Sequence, residues 1–399
     1  MKKHFEKVLA IVMVAVLTLA LSACTNQEPA APEASAPAPA SEEPASEEPA
    51  SEAPSEVVAE VEKAAEETEV QKVGVSMPTK SLQRWNQDGD NMKTSLEDAG
   101  YEVDLQYGGE NEVTMQIAQI ENMIASGCDV LVIAAIDGES LTEVLATAKD
   151  EGIPVISYDR LIMGTDAVTY YATFDNWKVG TLQGQYIEDA LNLKAGGGPY
   201  NIEFFTGDPG DNNINFFFGG AMEVLQPYLD SGVLVCPSGE TEKEVVATVG
   251  WSAELSQARM ENLISANGYA PDGTKLDAVM CSNDSTAQGV TNALVNAGYT
   301  AENFPIVTGQ DCDVVSVKNM IAGTQAMSVF KDTRTLAEQV VTMVDAILKG
   351  TEPTINDTET YNNGVAVIPS YLCEPVFGSA ENYKELLIDS GYYTEDQLQ

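Results

Sequence analysis

The chain has 399 residues, 44% of them hydrophobic and 21% charged, with 62 acidic against 20 basic side chains and a formal charge of −42. That length suits two domains with separate cores, and so large an acidic excess repels phosphate backbones, which excludes nucleic-acid partners. The single histidine, His4, lies in the leader described next, so Ser-His-Asp or Cys-His catalysis and histidine-ligated metal are excluded from the mature chain.

Lys2, Lys3 and Lys7 precede an apolar run over residues 8–21, shorter than the roughly 20 residues needed to cross a bilayer. The pattern predicts a signal peptide over residues 1–23. Its end, Leu21-Ser22-Ala23-Cys24, resembles the lipobox of bacterial lipoproteins, which implies that Cys24 is lipidated and becomes the N-terminus. Residues 24–70 then read as a tether: of the 46 residues after Cys24, 37 are Ala, Pro, Ser or Glu, with the near-repeat Ser41-Glu42-Glu43-Pro44-Ala45 and Ser46-Glu47-Glu48-Pro49-Ala50. Such a segment cannot bury a core and repels itself into an extended spacer. The expected location is therefore outside the cytoplasm, at the cell membrane, held by the lipid alone.

Beyond the tether, short apolar strands alternate with helix-length amphipathic segments. Strands are predicted over 73–77, 129–134, 154–158, 168–174, 201–205, 276–281 and 304–308. A helix runs through Met92 and Leu96 to Gly100, and Val113, Ile117, Ile120 and Ile124 recur at helical spacing. Gly196-Gly197-Gly198-Pro199 marks a loop in the second half. Apolar strands separated by helices imply parallel sheets covered on both faces. Five cysteines, Cys128, Cys236, Cys281, Cys312 and Cys373, show no Cys-x-x-Cys spacing and cannot all pair, so free thiols are expected.

Ligands of such sheets sit beyond the carboxyl ends of the strands. There the sequence places Arg84-Trp85, Asp159-Arg160, Asp211-Asn212-Asn213, Ser282-Asn283-Asp284, Gln310-Asp311 and Lys331-Asp332, with Trp251 as a second indole. Carboxylates, amides and guanidinium groups match vicinal hydroxyls, which both donate and accept, while an indole covers a face of C–H bonds. That chemistry suits a neutral polyhydroxylated ring. Taken singly, Asp284 and Asp332 read as helix N-caps, and Asp88-Gly89-Asp90-Asn91, lacking the rest of a calcium loop, reads as helix-surface charge.

The ordered strings Met77-Pro78-Thr79-Lys80, Arg84-Trp85, Gln119-Ile120-Glu121-Asn122-Met123, Tyr158-Asp159-Arg160, Phe174-Asp175-Asn176, Asp211-Asn212-Asn213, Ser282-Asn283-Asp284, Gly309-Gln310-Asp311 and Phe330-Lys331 resemble the xylose-binding and multiple-monosaccharide-binding proteins of ABC sugar importers. The similarity runs from about Lys72 to the C-terminus, through Pro369-Ser370-Tyr371-Leu372 and Gly391-Tyr392-Tyr393. It implies an α/β chain of the type I periplasmic-binding-protein fold: two doubly wound parallel-sheet lobes joined by a three-crossing hinge near Asn176, Gln310 and Phe330. One lobe would take residues 71–176 plus 311–329 and the other 177–309 plus 331–399, with the segment after about Pro369 left unplaced. Carried over by position, Arg84, Asp159, Arg160, Asp211, Asn213, Asn283, Asp311 and Lys331 would contact a monosaccharide, and Trp85 and Trp251 would wall it. The resemblance implies a membrane permease as partner, no cofactor, no metal, a monomer and no enzymatic activity. The turn Gly207-Asp208-Pro209-Gly210 departs from the family pattern. A sugar sensor presenting its closed form to a chemoreceptor or kinase is an alternative, and a glycoside hydrolase using Asp159 and Asp311 a weaker one. A regulator of the lac-repressor class is disfavoured by the secretion signal.

Overall fold

The computed structural model describes residues 70–399; the leader, Cys24 and the tether through residue 69 lie outside it. In chain order the first strands and helices are β1 (Lys72–Met77), α1 (Gln83–Asp98), β2 (Glu102–Tyr107), α2 (Val113–Ala125), β3 (Val130–Ile133), α3 (Thr142–Asp150), β4 (Val155–Tyr158) and β5 (Val168–Phe174). Next come α4 (Asn176–Ala190), β6 (Tyr200–Phe205), α5 (Asn213–Asp230), β7 (Leu234–Val235), α6 (Ala253–Asn267), β8 (Ala278–Cys281), α7 (Asp284–Asn296), β9 (Ile306–Val307), α8 (Val314–Ala322) and β10 (Met327–Phe330). The chain ends with α9 (Thr333–Leu348), β11 (Ser370–Cys373), β12 (Val376–Ser379) and two short helical turns, Lys384–Asp389 and Glu395–Leu398.

The first sheet has the order β11-β5-β4-β3-β1-β2, and every pairing in it is parallel. In the second sheet β7-β6-β8-β9 are parallel; a parallel bridge between Gln310 and Val329 then carries β10 onto its edge, and β12 closes that edge antiparallel. The two-residue period of a strand divides its side chains between two cores. In β3, Val130 and Val132 enter one buried cluster with Met92 and Leu96, while Leu131 and Ile133 enter another with Ile120 and Leu145. In β8, Ala278 and Met280 face the cluster of Ile202 and Leu225, and Val279 and Cys281 face that of Met260 and Val290.

The strand pairing corrects the expected division of the chain. Residues 311–329 belong to the second lobe, because α8 packs on α7 and β10 joins the second sheet. The segment after 331 does not stay there: α9 returns to cover the first sheet with Leu336, Val340 and Val344, and β11 pairs with β5. Gln310 is thus no crossing, since its partner across the bridge is Val329 of the same lobe. The chain passes between lobes at Asp175, at Lys331-Asp332 and at Glu374-Pro375. Asp175 and Asp332 are N-caps there, accepting from the backbone N–H of Lys178 and of Arg334, each at 3.0 Å. The tail after 376 completes the second lobe, with Leu387, Tyr393 and Leu398 buried against Val317 and Phe330.

All five cysteines of this region are free, and all but Cys236 are buried. Among the described residues no helix is long and apolar enough to cross a membrane.

Candidate functional site

The carboxyl ends of both sheets face one another, and the side chains they present line an inner chamber between the lobes. Arg84, Trp85, Asp159, Arg160, Asp211, Asn213, Trp251, Asn283, Asp311 and Lys331 all line it. Lobe one contributes Arg84 and Trp85 from the start of α1 and Asp159 and Arg160 from the loop after β4. Lobe two contributes the rest, with Lys331 at the crossing into α9. The chamber opens into a cleft of about 460 Å³ that shares Leu82, Arg160, Trp251, Ser285 and Asp313 with it.

Arg84 is the organising charge. Its Nε donates to Asp88 Oδ2 at 2.5 Å, its Nη2 to Asp159 Oδ2 at 2.8 Å and its Nη1 to Asp311 Oδ1 at 2.9 Å. Lys331 Nζ stands 3.3 Å from Asp311 and 3.7 Å from Asp159, over the rings of Phe174 and Phe217. Burial acts to raise the pKa of Asp159, but Arg84 and then Lys331 outweigh it and hold it at about 2. A carboxylate so held stays ionised and cannot supply a proton, which removes it as the general acid of a hydrolase. Burial also pushes Asp88 up to about 6 against the pull of Arg84, and pushes Asp211 above the ordinary carboxylate range against Arg160.

Arg160 and Asn213 tie the lobes together. Arg160 Nε is 3.0 Å from Asp211 Oδ2, its Nη1 donates to Ala135 O at 3.0 Å, and its guanidinium lies 5.0 Å from the Trp85 ring. Asn213 Nδ2 donates to Asp159 O at 2.8 Å, while its Oδ1 accepts from Tyr171 Oη and Asn176 Nδ2. Asn283 caps α7, accepting from Thr286 N at 3.0 Å, so one residue serves both the helix and the chamber.

The second indole depends on its neighbours. Trp251 sits at positive φ, as do Asp159 and Asp311, a conformation that costs free energy and gathers at functional sites. Phe217 meets its ring edge-on with centroids 6.1 Å apart. A Cβ on Gly207 would fall 2.1 Å from the Trp251 ring, so only glycine lets the indole lie on this stretch of backbone.

Leu82, Phe217, Ser285 and Asp313 also line the chamber and are not among the expected site residues; Gln310, expected at a strand end but not as a contact, lines it too. Ser285 adjoins the strand-end group Ser282-Asn283-Asp284, but Phe217 lies in the run Phe216-Phe217-Phe218, where composition cannot tell which ring turns inward. Asp88 is a correction of another kind. Expected as surface charge on α1, it is fully buried and accepts from Arg84 and the Tyr158 hydroxyl. Its i, i+4 spacing to Arg84 was the available signal. The expectation that Asp332 caps a helix holds; Asp284 instead lies buried, accepting from Ser328 Oγ, Gln325 Nε2 and Asp313 N.

The charges cancel largely among themselves, so the chamber offers hydrogen-bonding positions and aromatic walls from both lobes rather than net charge. No group of three or more metal-ligating side chains occurs among the described residues.

Residues 73–352 match the periplasmic binding protein domain family. The multiple sugar-binding periplasmic protein SbpA of Azospirillum brasilense is 52% identical over 328 residues, covering 82% of this chain and 90% of that one. The D-xylose-binding periplasmic protein of Escherichia coli strain K12 is 37% identical over 327 residues, with 82% and 92% covered. Among solved structures, an ABC transporter solute-binding protein from Clostridium phytofermentans with bound β-D-glucose matches with a TM-score of 0.80 at 65% identity, covering 82% of this chain and 100% of that one. These relatives are binding proteins and not enzymes. Two doubly wound lobes, a chamber furnished by both and similarity along the folded body all agree: the chain belongs to the periplasmic binding protein family.

Proposed function

We propose that the protein is an extracytoplasmic solute-binding lipoprotein that captures a monosaccharide of the glucose or xylose type between its lobes and delivers it to the permease of an ABC importer. The observation that carries this reading is the chamber itself, where the internally paired ions Arg84, Asp159, Asp311 and Lys331 share the lining with two indoles and are contributed by both lobes. A ring hydroxyl donates to a carboxylate and accepts from Arg, Asn or Lys, so a neutral sugar satisfies these groups without bringing charge. Rejection of analogues follows from the same groups, because a buried polar atom left without a partner costs about 1–3 kcal/mol.

A sugar touching both lobes gains its full set of contacts only when they close, and that difference in affinity drives closure. The names of the relatives above support the sugar class, and the ten residues predicted from sequence are proposed as its contacts. Cys24 and the tether support anchoring to the membrane, with the closed body held out for the permease.

Calorimetric titration with D-glucose, D-xylose, D-galactose and L-arabinose tests the ligand class. Tight one-to-one binding of at least one of them, lost in Trp251→Ala and Asp311→Ala, is expected; binding of none overturns it. Cys24→Ala should release the protein into the medium, and continued membrane association would sink the lipoprotein assignment.

A further inference from the structure

The turn Gly207-Asp208-Pro209-Gly210 does more than lead into Asp211. Asp208 Oδ1 accepts from Gly210 N at 2.7 Å, and its Oδ2 accepts from Gly250 N at 2.5 Å, directly before Trp251. Thr248 N donates to Gly207 O at 2.9 Å. One carboxylate therefore ties the turn to the loop that presents the second indole. At its far end, Gly210 O accepts the N–H of Gly138 from the opposite lobe, backbone to backbone, at 3.1 Å. Gly138 is held in its own lobe by Met163 N, which donates to Gly138 O at 2.8 Å.

Gly210 does not adopt the left-handed conformation that calls for glycine. What leaves no room for a side chain is the other lobe. A Cβ on Gly210 would lie 2.8 Å from Asp137 Oδ2, against 3.1 Å from Asp208 Oδ1 in its own turn. Asp137 is not free to swing away, because its Oδ1 accepts from Glu139 N at 2.9 Å and Ser140 Oγ at 2.7 Å. The closer obstruction, that of Asp137, exists only when the lobes are together, whereas the contact with Asp208 is present in either state.

We infer that the Gly138–Gly210 contact is the catch of the closed cleft, that Gly210 is a positioning residue which sets affinity without touching the ligand, and that Asp208 links this catch to Trp251. The inference rests on the sugar-binding reading above. Through Asp137, a side chain at 210 raises the free energy of the closed form relative to the open one, and apparent affinity falls with the fraction of molecules able to close.

The test compares the wild type, Gly210→Val, Asp137→Ala and the double variant, titrated with D-glucose and D-xylose and measured by small-angle scattering with and without sugar. Gly210→Val should weaken binding about tenfold, leave the thermal midpoint of the sugar-free protein unchanged and yield a more extended particle with sugar. Asp137→Ala in the same chain should restore both affinity and compactness, a rescue that a merely local distortion of the turn would not give. Wild-type affinity in Gly210→Val, or a loss that Asp137→Ala does not relieve, overturns the catch. If the wild type binds neither sugar, the sugar reading falls, and the catch is judged by interlobe distances between paired spin labels without ligand: a closed fraction that Gly210→Val reduces and Asp137→Ala restores supports it, and a closed fraction that is absent or unchanged overturns it.

Discussion

Arg84 Nη1 lies 2.9 Å from Asp311 Oδ1, joining the first helix of one lobe to the loop after β9 in the other. The same guanidinium holds Asp88 and Asp159, so its three nitrogens serve three carboxylates. Lysine, a point donor on a flexible stem, cannot reproduce that fork. Arg84→Lys should therefore weaken sugar binding about 100-fold, while Arg84→Ala, which strands buried carboxylates, should also cost about 3–5 kcal/mol of folding stability. Titration calorimetry and urea unfolding separate the two effects; wild-type affinity in Arg84→Lys would refute the central role of the fork.

Gly207 lies so near the Trp251 ring that a methyl group in its place must displace the indole. Gly207→Ala should cut affinity by an amount close to that of Trp251→Ala, and the two losses should not add in the double variant. The shift in indole fluorescence on adding sugar should shrink in parallel. Full additivity would mean that Gly207 acts elsewhere.

The buried Asp88 and the half-buried Asp313 give stability an unusual pH dependence. Burial first, and Asp311 second, push Asp313 up to about 7 against Arg84 and Lys331, and burial pushes Asp88 up to about 6. Between the ordinary carboxylate pKa and these values the folded state binds more protons than the unfolded one, so stability falls as pH rises from about 4 to 7. Asp159, held at about 2, acts in the opposite sense and withdraws stability only below about 4. Maximal stability of the sugar-free protein is expected near pH 4–5. Asp313→Asn should flatten the upper part of the decline and Asp88→Asn the lower part, as read by thermal midpoints across pH; a midpoint that climbs steadily from pH 4 to 7 would contradict the assignment.

The tail fastens the two lobes on the side of the crossings. Tyr393 Oη accepts from Gln83 Nε2 at 2.7 Å and Gln87 Nε2 at 3.1 Å, both on α1, and donates to Cys312 O at 3.0 Å. Tyr393→Phe leaves these groups without their shared partner and should cost about 1–3 kcal/mol. Hydrogen exchange should show faster opening at the start of α1 and around Cys312, with the cores of both sheets unaffected.

The parallel sheets were legible because buried strands such as Val130–Ile133 and Ala278–Cys281 are continuous apolar runs between helical periods. The ten chamber residues were legible because strand ends are where such sheets collect ligands, and planar polar side chains recur there. What the periodicity could not carry is which sheet a late strand joins. Met327–Phe330, three apolar residues and one serine, suits either lobe, and its place is decided by a bridge to Gln310 and by β12, almost fifty residues on. Asp88 was read as solvated because a carboxylate on a helix is usually so; only the convergence of Tyr158 and Arg84, 70 residues apart in the chain and 4 along the helix respectively, explains its burial.

Three crossings also interlace the two halves in time. The first sheet lacks a covering helix until Thr333–Leu348 exists and a sixth strand until Ser370–Cys373 exists, while the second lacks its outer edge until Val376–Ser379. Neither half is a contiguous segment, so neither can be excised whole: the two core clusters of the second lobe that lie within residues 187–307 are made early, but both cores of the first lobe wait for residues after 335. Contacts this distant in sequence slow folding, and both sheets stay without an edge strand for as long as the last thirty or so residues are missing.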